Sequence, residues 1–280
     1  MLQHEAYIAS TANPRVKKWA KLQERKYRER EGKFLLEGVH LVKEALQAGW
    51  PLECVVYDAG RGVPQELAAW AKGERAEEAT VAWIPASPEV IARCSETQSP
   101  QPVFAVAKKR NWRLTDVAPT PAASPLFDRA SALVAVLDGV QDPGNVGTIV
   151  RSAAACGATA VVLGRGTADM YNAKTLRAAM GALFSVPVIE AELTDLLPQA
   201  QQHGLAVVGT SLAATRSCYS YNFRRGVWLV FGNEGSGLSP AVSACVSEHI
   251  IIPMTGRAES LNVAMAATVL LFEAQRQRMV

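Results

Sequence analysis

Side chains that can donate to, accept from or charge-pair with a ligand collect in three short stretches of this chain's C-terminal half. Asp138–Gly147 reads DGVQDPGNVG and leads on to Arg151, Gly232–Gly237 reads GNEGSG, and Ile250–Ala267 reads IIIPMTGRAESLNVAMAA. Each follows an apolar run (Leu133–Leu137, Val227–Phe231 and the isoleucines at Ile250) and precedes a helical pattern. Three buried strands that each end in a Gly-rich loop carrying an Asn place one site at the carboxyl ends of an α/β sheet.

The chemistry on offer is charge stabilisation and hydrogen bonding. Asn145-x-Gly147-x-x-x-Arg151 puts a guanidinium about one turn into a helix, where it can pair with a phosphate in fork geometry or with a surface carboxylate. Glu234, between glycines after a buried strand, can hold Arg151, cap a neighbouring turn or face a ligand. Ser260 and Asn262 flank Leu261 at a helix start, where either can cap the helix. Asn262 can also donate to and accept from a ligand. Glycine after a strand is also what turn geometry asks for, so each loop alone is weak. Gly232-x-x-Gly235-x-Gly237 has the reverse of the dinucleotide spacing, and no GxxxxGK[ST] phosphate loop is present. That counts against a nucleotide-cofactor oxidoreductase.

Bulk properties narrow the class. With 29 Lys and Arg against 26 Asp and Glu, the net charge is +3. Nine of those cations lie between Asn13 and Lys33 with three acids, so that segment carries +6 and the rest −3. Arg15, Lys17, Lys18, Arg25 and Lys26, with Trp19 and Tyr27 interleaved, can neutralise phosphates and offer stacking faces, or can form a solvated helix face. Five cysteines without a CxxC pair argue against a zinc site and a disulfide framework and fit a reducing cytoplasm. No apolar run approaches the ~20 residues of a membrane span, and the expectation is a cytoplasmic protein with no membrane association.

The elements that position these residues follow from periodicity. A basic helix is expected over Asn13–Glu31, with Asn13 as N-cap and Pro14 first. A short α/β unit then runs through strands at Phe34–Leu36, Leu52–Tyr57, Val81–Ile84 and Val103–Ala107 and helices at Gly38–Ala48, Gln65–Lys72 and Pro88–Ser95. Three prolines among small residues make 116–131 a linker between domains at 1–115 and 132–280. The strand–helix rhythm resumes with strands at Ala132–Leu137, Ala160–Leu163, Val186–Ile189, Ala206–Thr210, Val227–Phe231 and Glu248–Ile252. Helices are expected at Gly147–Cys156, Lys174–Met180, Leu193–His203, Pro240–Val246 and Leu261–Val280. Unalternating Val/Ile/Leu strands are those of a parallel sheet covered on both faces.

DPGNVGTIVRSA, FGNEGSGLS and IPMTGRAESLNVAMA resemble the three motifs of the SpoU (TrmH-type) RNA ribose 2′-O-methyltransferases of the SPOUT superfamily, in order and with every polar position kept. FLLEGVHLVKEAL resembles, more loosely, the ribosomal-protein-like α/β domain fused to such enzymes. The resemblance implies a C-terminal α/β trefoil-knot methyltransferase domain behind a small α/β RNA-binding domain, and S-adenosylmethionine as cofactor, lined by Gly232, Ile252, Leu261 and Thr210. It implies Arg151 as the residue assisting transfer, oriented with the ribose and cofactor loop by Asn145, Glu234, Ser260 and Asn262. An arginine stays protonated, so pairing with the neighbouring phosphate and stabilising the developing alkoxide is the preferred role. Lys174 and Arg177 are second-rank RNA contacts. A homodimer is implied, with ribosomal RNA of the large subunit favoured over transfer RNA as substrate. A non-catalytic RNA-binding protein on the same fold is the remaining alternative.

Overall fold

The computed structural model describes residues 6–74, 81–110, 112, 124–257 and 259–279. The chain divides into two compact units, Met1–Arg110 with Tyr171–Phe184, and Asn111–Met170 with Ser185–Val280.

The first unit opens with α1 (Pro14–Lys21), capped by Asn13, whose Oδ1 accepts from the Arg15 amide at 2.8 Å. A single helix over Asn13–Glu31 does not form: the chain breaks at Leu22–Glu24 before α2 (Arg25–Glu31). The buried Arg28 guanidinium donates to the Leu22 and Gln23 carbonyls at 2.8 and 2.5 Å. Those are the acceptors a continuous helix would need for its own ladder. Then follow β1 (Lys33–Glu37), α3 (Val39–Gln47), β2 (Leu52–Asp58), the short α4 (Ala68–Ala71), β3 (Ala82–Ala86), α5 (Pro88–Arg93) and β4 (Val103–Lys108). They build a mixed sheet of order β1-β4-β2-β3 in which only β2 and β3 run parallel.

The second unit holds β5 (Leu133–Leu137), α6 (Pro143–Ala155), β6 (Ala160–Leu163), β7 (Val188–Glu190), α8 (Leu193–Gln202), β8 (Ala206–Thr210), β9 (Val227–Phe231), the short α9 (Pro240–Ser243), β10 (Glu248–Ile250) and α10 (Val263–Arg278). The intervening α7 (Ala173–Ala179) packs with the first unit's β1. The six strands form one parallel sheet of order β10-β8-β9-β5-β6-β7. Every residue of β5, β6 and β9 is buried, as continuous apolar strands between two helix layers require.

Of the expected linker, residues 116–123 lie outside the described residues. Ser124–Phe127 form a capped turn whose Leu126 and Phe127 enter the second unit's core, and the Trp228 indole N–H donates to the Leu126 carbonyl at 3.0 Å. Each large side chain so buried contributes about 1.5–3 kcal/mol. The end of α10 is pinned by Arg278. Its guanidinium donates to the carbonyls of Phe223, Ser131, Ala132 and Arg225 at 2.7–3.0 Å.

Candidate active site at the carboxyl edge of the parallel sheet

Four neighbouring strands, in the order β10-β8-β9-β5, send their following loops to one edge of the sheet. The loop after β5 is shorter than the sequence pattern implies. Asp142 caps α6, its Oδ1 accepting from the Asn145 amide at 3.0 Å, and Pro143 occupies the first turn. Asn145 and Gly147 are therefore helical residues rather than loop residues, because Asp followed by Pro is a helix start.

The Glu234 carboxylate joins the loop after β9 to this helix start. It accepts from the Gln141 and Asp142 amides at 3.1 Å each and from Asn145 Nδ2 at 3.0 Å. Burial works to raise its pKa, but the bonds from Asn145, Asp142 and Gln141 outweigh it and hold the carboxyl below the usual range. Asn145 Oδ1 in turn accepts from Asn262 Nδ2 at 3.0 Å, while Asn262 Oδ1 caps α10 by accepting from the Ala264 and Met265 amides. Asn262, Asn145 and Glu234 thus form a directed chain linking the loop after β10, the start of α6 and the loop after β9.

Three residues that the sequence reading passed over complete the frame. Asp138 Oδ2 accepts from the Ser239 amide at 2.7 Å. Asn233 Oδ1 accepts from the Gly235 and Ser236 amides, and its Nδ2 donates to the Gly139 carbonyl at 2.8 Å. Asp142 is the helix cap already described. Asn-x-Gly and Asp-Pro are turn and cap patterns, so two of the three were open to reading. Gly232 is a packing necessity: a Cβ there would sit 2.2–2.5 Å from the Gly237 and Leu238 backbone.

Arg151 stands apart. Asn145, Glu234 and Asn262 bond to one another and not to Arg151, contrary to the expectation that they orient it. With α6 starting at Pro143, Arg151 lies more than two turns into the helix. It is about 9 Å along the axis from Asn145 and about 120° around it. Its guanidinium is exposed and has no hydrogen bond or ion pair among the described residues. Ser260 is exposed and is not the cap of α10, a role Asn262 takes.

Thr210 and Gly232 close β8 and β9, and Ile252 follows β10 by two residues, so these cofactor candidates leave three adjacent strands on the same edge. Beyond them, 252–261 forms no backbone–backbone hydrogen bond among the described residues. Leu261 exposes 42% of its surface. A stretch of open amides and carbonyls that also carries the apolar side chains of Leu261 and half-buried Ile252 suits a ligand with an aromatic base and polar rim.

The SpoU rRNA methylase family matches residues 132–272. The chain belongs to that family. An MRM3-like substrate binding domain matches residues 13–105 of this SpoU chain. RlmP of Bacillus subtilis strain 168, a 23S rRNA (guanosine(2553)-2′-O)-methyltransferase, is 35% identical over 95% of this chain and 97% of its own. The SpoU methyltransferase AviRb of Streptomyces viridochromogenes, solved in complex with the cofactor AdoMet, superposes with a TM-score of 0.82 at 30% identity, over 95% of this chain and 98% of that one. An AdoMet-bound rRNA methyltransferase of Sinorhizobium meliloti gives 0.81 at 30% identity, over 97% of each.

In the first unit, Lys17, Lys18 and Lys26 are exposed. Arg15 is half-buried over the Trp19 ring, Arg25 pairs with Glu29 at 2.6 Å, and Arg177 lies 3.8 Å from Glu37. Lys174, at the start of α7, is exposed. Trp19 is no stacking face: it is buried against Phe104, since α1 must seat its apolar side on the sheet. Tyr27 is half-buried between the cations of Lys21 and Arg30. Among the described residues no helix is long and apolar enough to cross a membrane.

Proposed function

We propose that this SpoU chain transfers a methyl group from S-adenosylmethionine to a ribose 2′-hydroxyl of large-subunit ribosomal RNA. The observation that carries it is the Asn262–Asn145–Glu234 chain, which joins the loops after β9 and β10 to the start of α6 next to 252–261, whose described residues make no backbone–backbone hydrogen bond. RlmP carries the same activity in its name, and both AdoMet-bound neighbours superpose over nearly the whole chain.

The cofactor supplies an electrophilic methyl when bound. Gly232, Ile252, Leu261 and Thr210 would hold it, with 252–261 giving backbone donors and acceptors. The protein must then align the ribose oxygen and offset the charge that grows on it. Arg151 does this through its guanidinium: it pairs with the phosphate beside the target ribose and stabilises the developing alkoxide. Asn145, Glu234 and Asn262 act one step back, fixing the loop geometry, and Ser260 faces the ligand with its hydroxyl unspent. Arg151→Ala should abolish turnover with cofactor affinity kept; near-normal turnover removes Arg151 from this role.

The trefoil-knot reading is supported by the path of 251–262, which leaves the sheet at its β10 edge and reaches Asn145 beyond β8 and β9. The homodimer reading is supported by Met265 and Phe272 on α10 and Met279 at its C-cap, which recur every seventh residue and are 56%, 43% and 79% exposed. The first unit binds RNA through Lys17, Lys18 and Lys26, with Arg15, Arg25, Lys174 and Arg177 as flanking contacts in a cytoplasmic enzyme. Incubation with methyl-labelled S-adenosylmethionine and protein-free 23S rRNA, followed by digestion to nucleosides, tests the whole. A labelled 2′-O-methylnucleoside supports it; label on a base overturns the ribose assignment.

A further inference from the structure

We propose that Arg165 is an RNA phosphate contact of the second unit, on the β6 side of the site. This rests on the methyl-transfer reading above. The loops that follow β5, β6, β9 and β10 contain two cations, Arg165 and Arg257. Arg257 lies within the segment assigned to the cofactor, which leaves Arg165 as the cation with no other task on these loops.

The turn that carries it is held firmly against the active-site loop. The Gly164 amide and the Thr167 hydroxyl both donate to the Leu137 carbonyl, at 2.8 and 3.0 Å, and the Ala168 amide donates to the Val140 carbonyl at 2.9 Å. The Thr167 amide closes the turn on the Gly164 carbonyl, with Gly166 at φ 84° where a side chain would be strained. Arg165 therefore projects from the tip of a pinned turn. It is exposed and without hydrogen bond or ion pair among the described residues.

Three acids on the loops after β5 and β9 are engaged with amide donors. Asp138 accepts from Ser239, Asp142 from Asn145, and Glu234 from Gln141 and Asp142. An unpaired guanidinium beside a strand-end site is matched by a phosphodiester, which it can grip with two parallel N–H groups. Such contacts position the strand without reading its sequence.

The test compares Arg165→Ala, Arg165→Lys and Arg224→Ala. Arg224 is an exposed cation before β9, at the opposite edge of the same sheet. Binding of protein-free 23S rRNA is measured by filter retention over a salt series, together with KM, kcat and cofactor Kd. Arg165→Ala should raise the RNA Kd and KM about five- to tenfold and flatten the salt slope by about 0.7–0.9, as loss of one phosphate contact does. Cofactor Kd should stay unchanged, Arg165→Lys should recover part of the loss, and Arg224→Ala should match the wild type. An equal effect from Arg224→Ala, an unchanged RNA Kd, or a loss of cofactor affinity overturns the assignment. Failure of the wild type to methylate any RNA would sink the methyl-transfer reading instead, and the binding series would still decide Arg165.

Discussion

Replacing Asn145 by Asp tests the amide chain by exchanging a single heavy atom, the side-chain nitrogen, for oxygen. In the native protein Asn145 Nδ2 donates to Glu234 while its Oδ1 accepts from Asn262. The substituted carboxylate could still accept from Asn262, but its second oxygen would face the Glu234 carboxylate across the space of the lost bond. Two unit charges about 4 Å apart repel by about 1 kcal/mol in water and about 4 kcal/mol at an effective dielectric near 20. Glu234 is exposed and Asn145 half-buried, so the lower part of that range applies, about 1–2 kcal/mol. The lost charge-assisted bond, discounted for the same exposure, adds about 1 kcal/mol. The Asn145→Asp variant should therefore lose about 2–3 kcal/mol near neutral pH, and Asn145→Ala about 1 kcal/mol.

The pH dependence separates this account from a packing defect. Native Glu234 has a folded pKa below its unfolded value. Its stabilisation is full above about pH 4.3 and is lost only as pH falls through the lower folded value. In Asn145→Asp two facing carboxylates titrate as a pair with one pKa raised, so the folded state takes up a proton that the unfolded chain does not. The penalty must then shrink as pH falls from about 7.5 to about 5. Urea unfolding followed by circular dichroism at both pH values reads it. A penalty equal at the two pH values, or equal to that of Asn145→Ala, refutes the reasoning.

Gly232→Ala forces the loop after β9 away from the Gly237 and Leu238 backbone, which a Cβ would approach to 2.2–2.5 Å. Cofactor affinity should fall at least about tenfold, as a displacement worth about 1.4 kcal/mol or more requires, and unchanged calorimetric affinity would remove Gly232 from the pocket. Arg278→Ala removes the side-chain donor from the Phe223, Ser131 and Arg225 carbonyls, while the Ala132 carbonyl keeps the Val227 amide. The expected cost is about 3 kcal/mol at two or more net bonds' worth, read as a lowered urea midpoint with unchanged slope; a shift within error would mean water replaces the clamp.

Much of this architecture was legible because its strands are buried on both sides. Val227–Phe231 and Leu133–Leu137 have no polar alternation to lose, so their ends and following loops stood out, and the observed strands match those limits within a residue. The cap at Asn262 was among the readings for the same reason that it forms: an amide oxygen before an Ala-rich helix meets its free N–H groups. Elements set by distant partners were not legible in this way. The break after Lys21 depends on Arg28 folding back on two carbonyls, and the burial of Trp19 on a strand some eighty residues away. The packing of α7 with the first unit has no mark in its own residues.

Residue types and local order by themselves determined that this chain has an α/β sheet with polar loops at its strand ends, and which side chains those loops carry. Apolar periodicity and the φ preferences of Gly and Pro act over a few residues, so they can be read along the chain. Only the tertiary structure decided which of those side chains meet. Asn145, Glu234 and Asn262 are about ninety and thirty residues apart in sequence, and strand order brings them within hydrogen-bond reach. Arg151, only six residues from Asn145, is turned away by the helix that both share.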